Sequence, residues 1–246
     1  MAPPETPRPD TPAADAPRPV AALLLAAGGG RRLGGRPKAL LPHRGRPLVE
    51  HAVRVLREGG CAPAVHVVLG AAADHVRDEA DLTGCVLLDN PDWQQGMGGS
   101  LHLGLTSLSD ADTAAAPSPA PPPALEPVPP SAAPAAATFR SAAAPSAVLV
   151  FLVDQPGITP AAVARLLHTV GHSPDVLAAA SYGGRRGHPV LLGADHWPGV
   201  LREASGDRGA RVYLQAHAGE LALVECGDVA DAADIDTPED LRLLSP

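Results

Sequence analysis

Short apolar runs alternate with longer amphipathic stretches along most of this 246-residue chain, and that alternation limits the fold more than any single motif does. Residues 20–25 read as a buried strand. Leu48, His51, Ala52, Val55 and Leu56 then recur at helical spacing until Gly59-Gly60 stops the helix. Strand-like runs return at 65–69, 85–88, 148–153, 176–180, 189–192 and 221–225. Helical patterns lie at 71–78, after Gly98-Gly99, around Val163–Val170, and at 238–244 behind Thr237 as its cap. Strand–helix alternation predicts a three-layer α/β/α sandwich with a mostly parallel, Rossmann-like sheet, covered on both faces. Such sheets bind ligands beyond the carboxyl ends of their strands, so function is expected in the loops after residues 25, 89 and 153.

Two segments stand outside this pattern. Seven of the 29 prolines fall in residues 1–19 and ten in 110–146, where large apolar side chains are too few to offset the entropy of ordering. The chain therefore reads as a disordered tail, 1–19, and one domain, 20–246, interrupted by a disordered Ala/Pro-rich insertion at 110–146. The net charge of −8, with no Lys/Arg block, argues against nucleic-acid binding. No apolar run is long enough to span a bilayer, and the N-terminus lacks the apolar core of a signal peptide. Cys61, Cys85 and Cys226 form no CxxC pair, which suits a reduced, cytoplasmic setting.

The loop after the first strand is Leu25-Ala26-Ala27-Gly28-Gly29-Gly30-Arg31-Arg32-Leu33-Gly34. Glycines let backbone N–H groups approach phosphate oxygens, and Arg32 and Lys38 supply positive charge. A Walker A loop is excluded because Gly35 is followed by Arg36-Pro37-Lys38 rather than Lys-Ser/Thr. A dinucleotide fingerprint fails on glycine spacing, and Pro37 interrupts any helix that the loop would open. Lys38 is the only lysine beside 18 arginines, which suggests that a compact ammonium is wanted there. Asp154 ends a strand in Val153-Asp154-Gln155-Pro156, a natural place for a Mg²⁺ ligand. Asp236 offers a second metal carboxylate or simply begins a helix. Asn90, the only asparagine, suits base or ribose recognition or a plain turn; Ser100 suits nucleotide contact or a helix cap. His168 and His172 have metal-pair spacing but lack an intervening glutamate, so they read as solvated side chains.

These motifs closely resemble the signature of the MobA-like nucleotidyltransferases, most of all the MocA branch of molybdenum cofactor cytidylyltransferases. The resemblance runs from Leu25-Ala-Ala-Gly28, Arg31-Arg32-Leu33-Gly34 and Pro37-Lys38-x-Leu40-Leu41 to Asn90-Pro-Asp-Trp93, Gly96-Met-Gly-Gly-Ser100 and Val153-Asp-Gln-Pro156. It continues through Gly187-His-Pro189, Gly206-Asp-Arg-Gly-Ala-Arg211 and Asp236-Thr-Pro-Glu-Asp240. It implies CMP transfer from CTP to a phosphorylated acceptor such as molybdenum-molybdopterin, with Mg²⁺ on Asp154 and release of pyrophosphate. Leu25, Ala26, Ala27, Gly28, Gly29 and Gly30 would bind the nucleotide, the Ala27–Gly30 amides and Arg32 holding the β- and γ-phosphates and Lys38 stabilising charge near the α-phosphate. Tyr182, His188 and Asp207 fall where the family places its acceptor, although His188 before Pro189 also suits a packed strand. Transient docking to a molybdoenzyme or its chaperone would follow. The competing readings are GTP as donor, an NAD(P)-dependent oxidoreductase on the same fold, and a non-catalytic binding module.

Overall fold

The computed structural model describes residues 20–113 and 145–244. The first strand, β1 (Ala21–Ala26), is buried along its whole length, and its side chains alternate between two cores. Ala22, Leu24 and Ala26 enter one, whereas Ala21, Leu23 and Leu25 enter the other, as a strand covered on both faces requires. A small hairpin of β2 (Pro42–His43) and β3 (Arg46–Pro47) follows, then α1 (Leu48–Glu58), β4 (Val65–Leu69), α2 (Ala73–Glu79) and β5 (Val86–Asp89). Helix α3 (Met97–Thr113) precedes β6 (Ala147–Leu152), α4 (Pro160–Val170), β7 (Leu177–Tyr182) and β8 (Arg185–Gly193). The chain closes with α5 (Trp197–Glu203), α6 (Arg211–Ala216) and β9 (Ala222–Glu225).

The seven-stranded sheet has the order β5-β4-β1-β6-β8-β7-β9. All neighbours pair in parallel except β8, which is antiparallel to both β6 and β7. The expected three-layer, mostly parallel architecture is what forms. Leu48, Ala52, Val55 and Leu56 of α1 join Val163 and Leu166 of α4 on one face. Leu101, Leu105 and Leu108 of α3 join Trp197, Val200 and Leu214 on the other, and Trp197 packs rather than facing a ligand. After β1 the chain moves outward through β4 to β5, then returns to place β6 on the other flank of β1. The ends of β1 and β6 thus bound the crevice where such sheets bind ligands. Among the described residues no helix is long and apolar enough to cross a membrane.

Several boundaries depart from the sequence pattern. Helix α3 continues to Thr113, into the stretch whose composition suggested disorder; residues 1–19 and 114–144 lie outside the described part. The closing helix is a 3₁₀ turn, Pro238–Leu244, and Thr237 does not cap it as an acceptor. Instead the Asp240 carboxylate accepts from the Thr237 backbone N–H at 2.8 Å, the Thr237 hydroxyl at 2.9 Å and the Asp236 N–H at 3.1 Å. The weak strand patterns near residues 180 and 190 are one hairpin. Gly183 and Gly184, at φ 59° and 76°, make its two-residue turn, a conformation that favours glycine and matches strand twist.

Glu225 at the end of β9 pins this hairpin. Its carboxylate accepts from the N–H groups of Gly183, Gly184 and Gly227 at 2.8, 3.0 and 3.1 Å, and from the Ser181 hydroxyl at 2.9 Å. The bonds from Gly184 and Gly183, then those from Ser181 and Gly227, hold its pKa down at about 2. A depressed acid stabilises the fold above its unfolded pKa of about 4.3, and loses that contribution as pH falls through its folded value. Glu225→Gln should therefore lower the melting temperature at neutral pH and flatten its dependence on pH between about 4.3 and 2. Thermal melts of both proteins across that range test this; parallel curves would dismiss the role given to Glu225.

Candidate active site

The glycine loop is shaped by close contacts rather than by charge. Gly30 adopts φ 55°, and its carbonyl accepts from the Leu33 and Gly35 N–H groups at 2.8 and 3.0 Å. A Cβ on Gly30 would lie 2.1 Å from the Arg36 carbonyl oxygen, and one on Gly29 would lie 2.5 Å from the Trp93 ring. Gly70 is equally tight, with a virtual Cβ 2.6 Å from Trp93 Cβ. Trp93 is thus wedged between the loops that end β1 and β4, and the Arg31 guanidinium sits 6.0 Å from its ring centre. The Lys38 N–H donates to the Gly28 carbonyl at 3.2 Å, which folds the lysine back beneath the loop.

Asp154 follows β6, and the Ile235 N–H donates to its carbonyl at 2.9 Å, drawing the last loop to the same place. The Lys38 ammonium then donates to Asp154 Oδ2 at 2.7 Å and to Asp236 Oδ1 at 2.6 Å, although these residues are 116 and 198 positions away in the chain. Arg32 approaches Asp236 Oδ2 at 3.9 Å from solvent. Burial alone would lower the pKa of Lys38, but the charge and hydrogen bond of Asp154, then those of Asp236, outweigh it and hold the pKa above its ordinary value. The side chains of Lys38 and Asp154 are 12 % and 19 % exposed, against 50 % for Asp236. The Asp154 contact is therefore the less screened of the two.

This centre opens on a cleft of about 510 Å³ bounded by Ala27, Gly28–Gly30, Arg32, Ser100, Asp154 and Asp236. Leu25 also reaches it. Ala26 does not, because its side chain enters the opposite core. Asn90 does not line the cleft either. It is buried, its Oδ1 accepts from the Asp92 N–H at 3.0 Å, its amide donates to Ser100 Oγ at 3.0 Å, and it does not bound the cleft. It orients Ser100, which lies within the first turn of α3 instead of capping it.

A second cavity of about 560 Å³ adjoins the first, sharing Leu25, Met97, Leu152 and Asp207 with it. Asp207 is set at the junction by a glycine contact: a Cβ on Gly96 would lie 2.4 Å from Gly206 C, and one on Gly98 would lie 2.7 Å from Ser205 N. His188 faces the second cavity, its pKa pushed down to about 4 by burial, then by the positive charge of Arg186 and Arg211. Tyr182 borders it as well, but its hydroxyl is spent, donating to the His188 carbonyl at 2.7 Å. Asp234 was not singled out by sequence. Burial and the charge of Asp154 raise its pKa, while the Gln155 amide donates to it at 2.8 Å. The pattern Asp234-Ile235-Asp236 carried the signal, since Ile235 is fully buried and period-two alternation turns both acids outward together.

The model of the MobA-like NTP transferase domain matches residues 22–221. The chain belongs to that family. Among similar sequences, the nicotine blue oxidoreductase of Paenarthrobacter nicotinovorans is 38 % identical over 92 % of this chain and 96 % of its own. A molybdenum cofactor guanylyltransferase of Pseudomonas putida is 51 % identical over 43 residues, covering 18 % of this chain and 22 % of the relative. The structure of a Mycobacterium tuberculosis Rv0371c homologue from Mycobacterium sp. strain JC1 superposes with a TM-score of 0.64 at 28 % identity, over 92 % and 95 % of the two chains. The fold and the glycine loop are thus those of a MobA-like nucleotidyltransferase.

Proposed function

We propose that this protein transfers a nucleoside monophosphate, CMP from CTP in the first instance, to a phosphorylated acceptor such as molybdenum-molybdopterin. The observation that carries the reading is the convergence of Lys38, Asp154 and Asp236 at the mouth of the glycine loop. The loop N–H groups and Arg32 bind the β- and γ-phosphates, and Lys38 balances charge at the α-phosphate. An acceptor oxygen bonds to the α-phosphorus as its bond to the bridging oxygen breaks, and pyrophosphate leaves. A phosphate acceptor is already an anion, so the protein contributes chiefly position and charge.

Asp154 and Asp236 fit Mg²⁺, because both are oxygen donors and both reach one cation, the Lys38 ammonium. Mg²⁺ held there would neutralise phosphate charge. Asp154→Asn should lower pyrophosphate release about 10²–10³-fold while leaving the fold intact by circular dichroism.

GTP is the second donor, favoured by the guanylyltransferase stretch. The relative named as an oxidoreductase favours a second, redox reading, which we take in the form of hydride transfer from a nicotinamide. The two are separated by assaying pyrophosphate release with four NTPs and a panel of phosphorylated acceptors, alongside thermal shifts with NADPH. Stabilisation by NADPH, with no response to CTP or GTP plus Mg²⁺, would overturn the transferase reading.

A further inference from the structure

A cavity of about 380 Å³ lies between the β2–β3 hairpin and α1 and shares no lining residue with the nucleotide cleft or the cavity beside it. Arg44, Arg46, Arg54 and Arg57 border it, together with Glu50, Glu58 and Asp81. Most of these charges are already engaged. The Arg57 guanidinium donates to the Pro63 and Thr83 carbonyls at 2.9 and 3.0 Å and to Cys85 Sγ at 3.4 Å. Glu50 accepts from the Asp81 N–H at 3.0 Å and stands 3.6 Å from Arg46, while Asp81 accepts from the Thr83 N–H at 3.1 Å. Two guanidiniums are left. Arg44 makes no ion pair or hydrogen bond among the described residues, and Arg54 bonds only to His51, a neutral imidazole, at 3.1 Å. Against them stands the single carboxylate of Glu58.

The buried polar group of this cavity is His43. It is 5 % exposed, and neither ring nitrogen has a hydrogen-bond partner, the Leu244 backbone approaching it without closing a bond. An imidazole buried in this way costs the fold stability that a bound ligand would restore. Its ring meets His51 edge-on at 4.5 Å, yet the two do not form a metal pair. Among the described residues no three His, Cys, Asp or Glu side chains gather to hold an ion. Both His51 nitrogens are also spent. Arg54 can only donate, so His51 Nδ1 accepts from it and Nε2 carries the hydrogen given to the Pro156 carbonyl at 3.2 Å.

The geometry points to a site for a phosphate group in this cavity, with Arg44 and Arg54 as charged donors and His43 as the buried one, open to free phosphate or to a small phosphate monoester. The three donors come from the hairpin turn, from α1 and from β2, an arrangement that suits a tetrahedral anion better than a planar carboxylate. Arg44 and Arg54 also border an adjoining cavity of about 360 Å³ that extends to residues 156–160, which gives a monoester's body somewhere to lie. Through Arg54, His51 and Pro156 the site is joined to the loop that carries Asp154. It stands whether or not the protein transfers nucleotides.

The test reads His43 directly. Nitrogen–proton correlations of the imidazole rings are recorded on the full chain against inorganic phosphate and methyl phosphate, at fixed pH and ionic strength. The His43 signals are those lost in His43→Asn. They should shift and saturate at millimolar ligand, while those of His66, which faces α3, stay in place. Phosphate held by the glycine loop alone would leave His43 unmoved. Arg44→Gln/Arg54→Gln should weaken the affinity read at His43 at least about tenfold, with Arg242→Gln at the wild-type value. Each single variant should weaken it in the same direction, which keeps the reading available should the double variant unfold. Tighter binding of methyl phosphate assigns the site to an esterified phosphate, and tighter binding of inorganic phosphate to the free ion; either result upholds it. His43 signals that stay in place, or that respond equally in the arginine variants, overturn it.

Discussion

Lys38→Met is expected to reduce pyrophosphate release about 10²–10³-fold, the scale of losing one preorganised charged donor from a transition state. Methionine keeps a long unbranched stem, so the loss reports on the ammonium. That ammonium lies 2.7 Å from Asp154 and 2.6 Å from Asp236, and both bonds close on a single nitrogen. Arginine should rescue poorly, because its guanidinium is larger than the ammonium and fixes its N–H directions in one plane. The variant should also melt earlier at neutral pH. Without the ammonium, Asp154 and Asp236 face one another beside Asp234, with no counter-charge of comparable burial. A variant that kept more than a tenth of wild-type turnover would remove Lys38 from the chemistry.

Gly30→Ala is expected to cost about 2 kcal/mol or more in stability and to abolish tight nucleotide binding, whereas Gly28→Ala should fold normally. Gly30 adopts φ 55°, where an L side chain pays about 1 kcal/mol, and its added Cβ would lie 2.1 Å from a backbone oxygen that no rotamer change can move. The loop would have to open, breaking the bonds from Leu33 and Gly35 to the Gly30 carbonyl. On Gly28 the same methyl meets only Lys38 Cδ, at an ordinary 3.7 Å. Denaturant melts and nucleotide titrations of the pair check this; equal behaviour of the two alanines would show that the loop is more plastic than its contacts imply.

The contrast between those glycines also shows what the sequence could and could not say. Three consecutive glycines after an apolar strand announced a phosphate loop, but only the fold distinguishes the one that tolerates a side chain. The sheet was legible because β1, β4 and β6 are buried on both faces and so appear as unbroken apolar runs. The β7–β8 hairpin was legible only in part. Tyr182 and Arg185 pair, as do Ser181 and Arg186, and so extend the strands; Arg185, Arg186 and His188 border a cavity, while Tyr182 borders it and also packs against the core. Asp154 announced itself at a strand end. Asp234 was marked only by its alternation with Ile235 and Asp236, because the charge that raises its pKa comes from a neighbour 80 residues earlier in the chain. Asn90 shows the two readings that such a residue leaves open. A lone polar residue in a strand-end loop suggests a ligand or a turn, and here each end of its amide makes a bond within the protein, Oδ1 to the Asp92 N–H and the NH2 to the Ser100 hydroxyl.

The contact between Gly96–Gly98 and the Ser205–Asp207 loop has a consequence for engineering. The two segments meet with backbone against backbone, without room for even one methyl group at either glycine. They therefore behave as a matched pair, like a key cut for one lock. Grafting a foreign loop at 205–211 to change which molecules are accepted would leave the opposing strip at 96–100 shaped for its former partner. Libraries aimed at new acceptors should diversify both strips together, and a recombination breakpoint placed between them would separate parts that fit only each other.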